Sequence, residues 1–267
     1  MTPTHDAVDS PSQATGQPGT QTLIRGLRVL EALTTQDRPV GVGELSRMLE
    51  LPKSTVQRLL RTLDQEGWAQ TSNDAVTRWQ LSPRLLALAR RDTLSRSLRE
   101  VAMPHLTALG ARTGETIHFS VLDRDVQLVL IERVDSVHAV RTFNAIGATT
   151  ALHTSCSGKA VLALLPDARV REILGRPLEK VMPNTSVDPQ HLMHQVLEAR
   201  ERGYAVNIAE NRAGVCAVGA AVAERSGNPV AAVAISMPDT RFEPDRVPEW
   251  GTWVRDAARA ISDGLTH

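Results

Sequence analysis

Lys53, Ser54, Thr55, Gln57, Arg58 and Arg61 are spaced to share the outer face of one short helix, and each brings hydrogen-bond donors. Donors crowded near the start of a helix suit phosphate oxygens and base edges in a major groove. A second chemically suggestive stretch is His153-Thr154-Ser155-Cys156-Ser157-Gly158-Lys159-Ala160. It fails as a phosphate-binding P-loop. The upstream glycine is replaced by His153, and the hydroxyl residue after the lysine by Ala160. What it retains is a small-residue entry into a helix, whose free backbone N–H groups can hold a carboxylate or another small anion. A tight packing turn accounts for the same residues equally well.

The elements that must position the first cluster are readable from their spacing. Val42, Leu45, Met48 and Leu49 form one apolar face, and Val56, Leu59, Leu60 and Leu63 form another. Leu51-Pro52 separates them, and Ser54 or Thr55 is positioned to cap the second helix. Upstream, Leu23, Leu27, Leu30 and Leu33, with Ile24 and Val29, predict a helix covering both. Downstream, residues 67–71 and 77–81 read as short strands around Ser72-Asn73-Asp74. Three helices and a hairpin make a winged helix-turn-helix, with Arg78 near the wing tip suited to a phosphate. Gln57 and Arg58 are the expected base readers. Lys53, Ser54, Thr55, Arg61 and Arg78 are expected on phosphates, with Arg25 as a further backbone contact.

At 267 residues the chain has room for two cores. The formal net charge is zero, but its distribution is uneven: residues 20–91 hold 11 Lys/Arg against 7 Asp/Glu, and residues 92–267 hold 19 against 21. Two cysteines, Cys156 and Cys216, make no disulfide framework, and nothing has zinc-ligand spacing. Residues 1–20, rich in Thr, Pro, Ser, Gln and Gly, read as a disordered tail without the features of a signal peptide. No apolar run approaches the roughly 18 residues of a membrane span. The expectation is a cytoplasmic protein with no cofactor and no metal.

Residues 83–91 and 94–111 read as helices of a connecting and dimerising segment over 83–112, with a kink or break at Pro104. Beyond it, residues 113–267 mix strands and helices as an α+β domain with an antiparallel sheet. Strands are expected over 116–122, 126–133, 137–143, 204–208, 215–222 and 230–237. Helices are expected over 157–165, 167–174, 189–202 and 253–265. Catalysis by Cys156 would need a base such as His153 or His118 beside it, and spacing alone does not supply one. His191 and His194 share a helix face but lack a third metal ligand.

Motifs spread over residues 23–265 resemble the IclR-type transcriptional regulators. They are Arg25-Gly26-Leu27, Gly-Glu-Leu-Ser (43–46), Leu-Pro-Lys-Ser-Thr-Val (51–56), Thr-Gly-Glu-Thr (113–116), Leu-His-Thr-Ser (152–155) with Gly-Lys-Ala (158–160), Arg-Gly-Tyr-Ala (202–205) and residues 227–236. The resemblance implies a winged DNA-binding domain over 21–82 and a GAF-like effector domain. It also implies a homodimer or dimer of dimers on double-stranded operator DNA, and a small organic acid as effector. It places the effector site at Cys156, Ser157, Gly158, Asn207, Val215, Ala217, Ala234 and Ser236. Asn207 stands where some members carry an acid, and Ala217 and Ala234 where others are polar. That predicts a less polar pocket and a larger, aromatic or branched acid. The rival regulatory reading is a redox sensor using Cys156 and Cys216; an enzyme or a plain interaction module are the others.

Overall fold

The computed structural model describes residues 18–36, 38–72, 76–89, 93–124 and 126–265. The chain divides into two compact units at Asp92/Thr93. No helix among the described residues is long and apolar enough to cross a membrane. Residues 1–17 of the expected tail, the tip of the wing hairpin at 73–75 and residues 90–92 in the middle of the connecting segment lie outside the described residues, while residues 18–20 of the expected tail open α1.

The first unit is a winged helix-turn-helix: α1 (Pro18–Thr34), α2 (Val42–Met48), α3 (Lys53–Gln65), the antiparallel pair β1 (Ala69–Thr71) and β2 (Trp79–Leu81), then α4 (Arg84–Ala89). Its core is Val29, Leu33, Leu45, Val56, Leu59, Leu60 and Trp79. The turn between α2 and α3 is closed by Ser46, whose Oγ donates to the Leu51 carbonyl at 2.6 Å. Glu50 takes the left-handed conformation there, φ 53°. The helix α3 starts one residue before the expected caps: Pro52 precedes it and no side chain caps it. Ser54 and Thr55 therefore sit inside the first turn, because the fixed φ of proline already sets the helix entry. Two apolar faces are narrower than their spacing suggests. Met48 is exposed, and Leu23, Ile24 and Leu27 of α1 are exposed while Gly26, Val29 and Leu33 turn inward.

The second unit is a six-stranded antiparallel sheet with helices on both faces, the GAF-like arrangement. Its elements are α5 (Thr93–Thr113), β3 (Thr116–Asp123), β4 (Gln127–Val134), β5 (Thr149–Ala151), α6 (Cys156–Leu164), α7 (Asp167–Leu174) and α8 (Pro189–Arg202). They continue with β6 (Ala205–Ile208), β7 (Val215–Ala223), β8 (Pro229–Pro238) and α9 (Val247–Gly264). The strand order is β5-β4-β3-β8-β7-β6. One core lies under α5 and α9 and takes Ile117, Phe119, Val218, Val222, Val233, Ile235 and Met237. The other, under α6, α7 and α8, takes Leu128, Ala217, Ala232 and Ala234 from the sheet. Strand residues alternate between these two faces.

Two expectations are corrected, each for a physical reason. Helix α5 continues through Pro104 without a break; the proline lies on its exposed side, so the missing donor falls where water can serve the helix carbonyl. The helix also buries Leu98, Ala102, Leu106 and Leu109 in the second unit, so this half of the segment 83–112 belongs to that core. Residues 137–143 form no strand. Their carbonyls go to side chains instead: Arg241 Nη1 donates to Val140 O at 2.9 Å and Arg212 Nη1 to Phe143 O at 2.6 Å.

The close approach of α9 to Tyr204 is testable. A methyl group at Gly251 would lie 2.3 Å from the Tyr204 ring. Gly251→Ala is expected to lower stability by at least about 2 kcal/mol in urea unfolding, the range of core overpacking. Gly41→Ala, where space is open, should change it by less than about 0.5 kcal/mol.

Candidate functional site

The face of the sheet beneath α6 is built from small residues. Asn207, Ala217, Ser236 and Thr116 are cross-strand neighbours in one row, and Ala205, Gly219, Ala234 and His118 in the next. Neighbours in such rows share a face. Alanine, glycine and serine leave room between the sheet and the helix layer. The result is a cavity of about 70 Å³, several times the ~10–15 Å³ that one water needs. Cys156, Ser157, Asn207, Val215, Ala217, Ala234 and Ser236 all line it. Gly158 does not. A side chain there would meet the Leu152 carbonyl oxygen at 2.1 Å, so this glycine permits the turn 152–154 to pack on α6.

At the cavity, α6 begins. Ser155 caps it, accepting from Gly158 N at 3.1 Å. The amides of Cys156 and Ser157 are left without helical acceptors, at the positive end of the helix dipole. Gly219 lets β7 come against this first turn: a methyl there would lie 3.0 Å from Cys156 Sγ and 3.1 Å from Ser157 N.

The lining is more polar than the residues named from the sequence predicted. It adds His118, Ser120, Thr142, Asn144, Thr150, Asn211 and Arg212. These come from the sheet's far strands and from two loops, 135–148 and 209–214, which spacing along the chain cannot bring together. Arg212 was legible only as a cation in a loop. His118 is 8% exposed, and its Nε2 is buried without a hydrogen-bond partner. Burial, reinforced by the guanidinium charges of Arg133 and Arg212 and opposed by Asp135, lowers its pKa to about 4. The imidazole is neutral near pH 7, and the positive field that repels its proton favours an anion in the cavity.

A buried latch holds one wall. Asn207 Nδ2 donates to Thr154 O at 2.7 Å, and its Oδ1 accepts from Glu210 N at 3.3 Å. The Glu210 carboxylate receives Lys159 Nζ at 2.7 and 3.0 Å, with the lysine 2% exposed. Asn207 thus ties the loop carrying Asn211 and Arg212 to the approach of α6.

The other candidates separate. Burial pushes the Cys156 thiol up to about 12, against the opposing pull of Lys159, and also raises Cys216. A protonated thiol is a poor nucleophile. Cys216 alternates with Ala217 and so faces the opposite side of β7, away from Cys156. His153 Nε2 contacts the Glu179 carbonyl at 2.9 Å. His194 meets Glu198 at 3.4 Å on the exposed side of α8.

In the first unit, Lys53, Ser54, Gln57, Arg58 and Arg61 are exposed on α3 and Arg25 on α1, while Thr55 is half-buried. Arg78 is turned toward α2. Its Nη1 donates to Pro39 O at 3.4 Å and lies 3.7 Å from Glu44. Glu44 is held below the usual carboxylate range mainly by Arg38.

Two measurements test this geometry. Glu210→Ala strands a buried ammonium and should cost about 3–5 kcal/mol in urea unfolding, most of which Lys159→Met/Glu210→Leu regains. His118 binds no proton in the folded state between its lowered pKa of about 4 and the unfolded value near ~6.5. Its contribution is therefore present above about pH 6.5 and lost as pH falls toward 4. His118→Gln should remove about 3 kcal/mol of that acid dependence, read from unfolding curves at both ends of the window.

Comparisons with known proteins cover both units. A profile of the IclR helix-turn-helix domain matches residues 22–72, and one of the bacterial transcriptional regulator IclR C-terminal domain matches residues 92–263. The chain is 33% identical over 251 residues to the transcriptional repressor IclR of Escherichia coli, covering 93% of this chain and 90% of that protein. Its fold matches the crystal structure of the Thermotoga maritima IclR with a TM-score of 0.73 at 27% identity, over 93% and 100% of the two chains. It also matches an IclR homologue of Microbacterium hydrocarbonoxydans complexed with 4-hydroxybenzoate, with a TM-score of 0.75 at 26% identity, over 91% and 98%. With a helix-turn-helix unit and an effector-type unit each matched along its length, the chain belongs to the IclR family of DNA-binding bacterial transcriptional regulators.

Proposed function

We propose that this protein controls a catabolic operon by binding its operator as a homodimer or dimer of dimers, and that a small carboxylate in the sheet cavity changes that binding. One observation carries the ligand reading: α6 begins, with the positive end of its dipole, at a cavity lined by His118, Ser157, Ser236 and Arg212. Such a site favours one negative charge with hydrogen-bonding oxygens. The Microbacterium homologue bound to 4-hydroxybenzoate supports a ligand of this chemistry. The polar lining runs against the less polar pocket expected from Asn207, Ala217 and Ala234. Cys156 and Cys216, buried on opposite faces of the sheet, give the redox alternative no support.

On the DNA side, Gln57 and Arg58 read base edges, and Lys53, Ser54, Thr55, Arg61 and Arg25 contact phosphates. Arg78 joins them by exchanging its Pro39 and Glu44 contacts for a phosphate. The segment 83–111 carries the change in half-site spacing. A carboxylate acts only to the extent that it binds one arrangement better than the other. A cytoplasmic location follows from that role.

Fluorescence anisotropy on DNA upstream of the protein's own gene, against scrambled DNA at physiological salt, tests the reading. Preference for the native DNA by about 10³ or more is expected. Equal, salt-sensitive binding to both would contradict operator recognition. Arg58→Ala should weaken operator binding by about 1–3 kcal/mol and relax selectivity at one base pair. Uniform weakening on every sequence would instead make Arg58 a phosphate contact.

A further inference from the structure

We propose that the cleft between α2 and the wing seats one phosphate of the DNA backbone, gripped by Arg47, Lys53 and Arg78, and that Glu44 is its built-in competitor. This rests on the DNA reading above, to which it adds Arg47 as a contact and an acid that opposes binding.

Three elements bring the cations together. The cleft, of about 330 Å³, is lined by Gly41, Gly43, Glu44 and Arg47 from around α2, by Lys53 at the start of α3 and by Arg78 of the wing. A methyl group on Gly41 would meet nothing within 4 Å, and one on Gly43 would lie 3.7 Å from Lys53 Cε. One wall is therefore bare backbone, with the lysine stem alongside it. Arg47 and Lys53 are exposed and Arg78 is half-buried. Each guanidinium is held loosely: Arg47 Nε donates to Gly43 O and Arg78 Nη1 to Pro39 O, both at 3.4 Å. An arginine carries five N–H donors, so most remain for an incoming anion.

A phosphodiester fits this arrangement. Two guanidiniums and an ammonium converge from different elements, and forked guanidinium donors match phosphate oxygens. The position agrees. In a helix-turn-helix the first helix crosses the backbone while the second enters the groove, and Lys53 opens the second. Glu44 is the one acid among the described lining residues. Its Oε1 lies 3.4 Å from Arg38 Nη2 and 3.7 Å from Arg78 Nη1, taking contacts that a phosphate would otherwise take. Both pairs are long and partly exposed, and such pairs stabilise little. A phosphate displaces the carboxylate from Arg78, and the acid's charge then opposes the phosphate beside it.

Fluorescence anisotropy of the full chain on the upstream duplex and on its scrambled counterpart, from about 50 to 200 mM salt, tests the seat. In Arg47→Ala both affinities should fall together, leaving their ratio unchanged. The slope of log affinity against log salt should shrink by about 0.9, one phosphate's share. Arg47→Lys should keep the slope, since the charge remains. Glu44→Gln should bind both duplexes about two- to fivefold more tightly, the range of an exposed charge pair. Thermal melts confirm that each variant folds. An unchanged slope in Arg47→Ala, with the wild type still binding, overturns the seat alone, and a changed ratio makes Arg47 a base reader instead. Weaker binding by a folded Glu44→Gln overturns the competitor and makes the acid a support for the cations. Wild-type protein that binds neither duplex overturns the DNA reading together with the seat.

Discussion

The second unit depends on an unequal division of side-chain volume between the faces of β7 and β8. Val218, Val222, Val233, Ile235 and Met237 fill the side under α5 and α9, where the large side chains of these two strands are close-packed. Ala217, Gly219, Ala234 and Ser236 occupy the alternate positions. Because the side-chain period of a strand is two, the same residues that anchor the sheet leave a cavity on its other side. Shifting either strand by one residue would exchange the faces, so stability and the cavity are set by one register.

Around that cavity the polar groups divide into two kinds. Asn207, Glu210 and Lys159 are committed to one another and to the Thr154 carbonyl. They fix the walls, at the cost of burying an ion pair that stabilises little by itself. His118 Nε2 is uncommitted, and the amides that begin α6 lack helical acceptors. A ligand at the start of α6 meets the positive end of the helix dipole. Arg212 bridges the kinds: it holds Phe143 O at 2.6 Å while its charge biases the cavity against protons.

Much of this was legible in the sequence. The apolar spacing of α2 and α3, the end of α8 at Gly203 and the alternation of β7 and β8 are local signals, and the helix bounds of α7 and α8 agree with the expected ones. Seven of the eight expected effector-site residues line one cavity, because Asn207, Ala217, Ala234 and Ser236 sit on two adjacent rows of the sheet and Cys156 and Ser157 open the helix packed over them. Gly158 lies outside the lining, and its glycine is accounted for by the close approach of the Leu152 backbone. Thr142, Asn144, Asn211 and Arg212 were missed because long-range side-chain to carbonyl bonds position their loops. β5, three residues at an edge, carries too little pattern to be found. Residues 137–143 are rich in strand-forming types, yet the Val140 and Phe143 carbonyls are taken by Arg241 and Arg212.

The central claim is that occupancy of the cavity and binding of DNA are one linked equilibrium. The most direct measurement is the affinity of one carboxylate, 4-hydroxybenzoate first, for the free protein and for the operator complex, beside the operator affinity with and without that acid. Linkage requires the two ratios to be equal. The account predicts equal ratios that differ from one, typically by about 5–150-fold. Identical acid affinity with and without operator would contradict it, leaving a DNA-binding protein whose cavity does not control it.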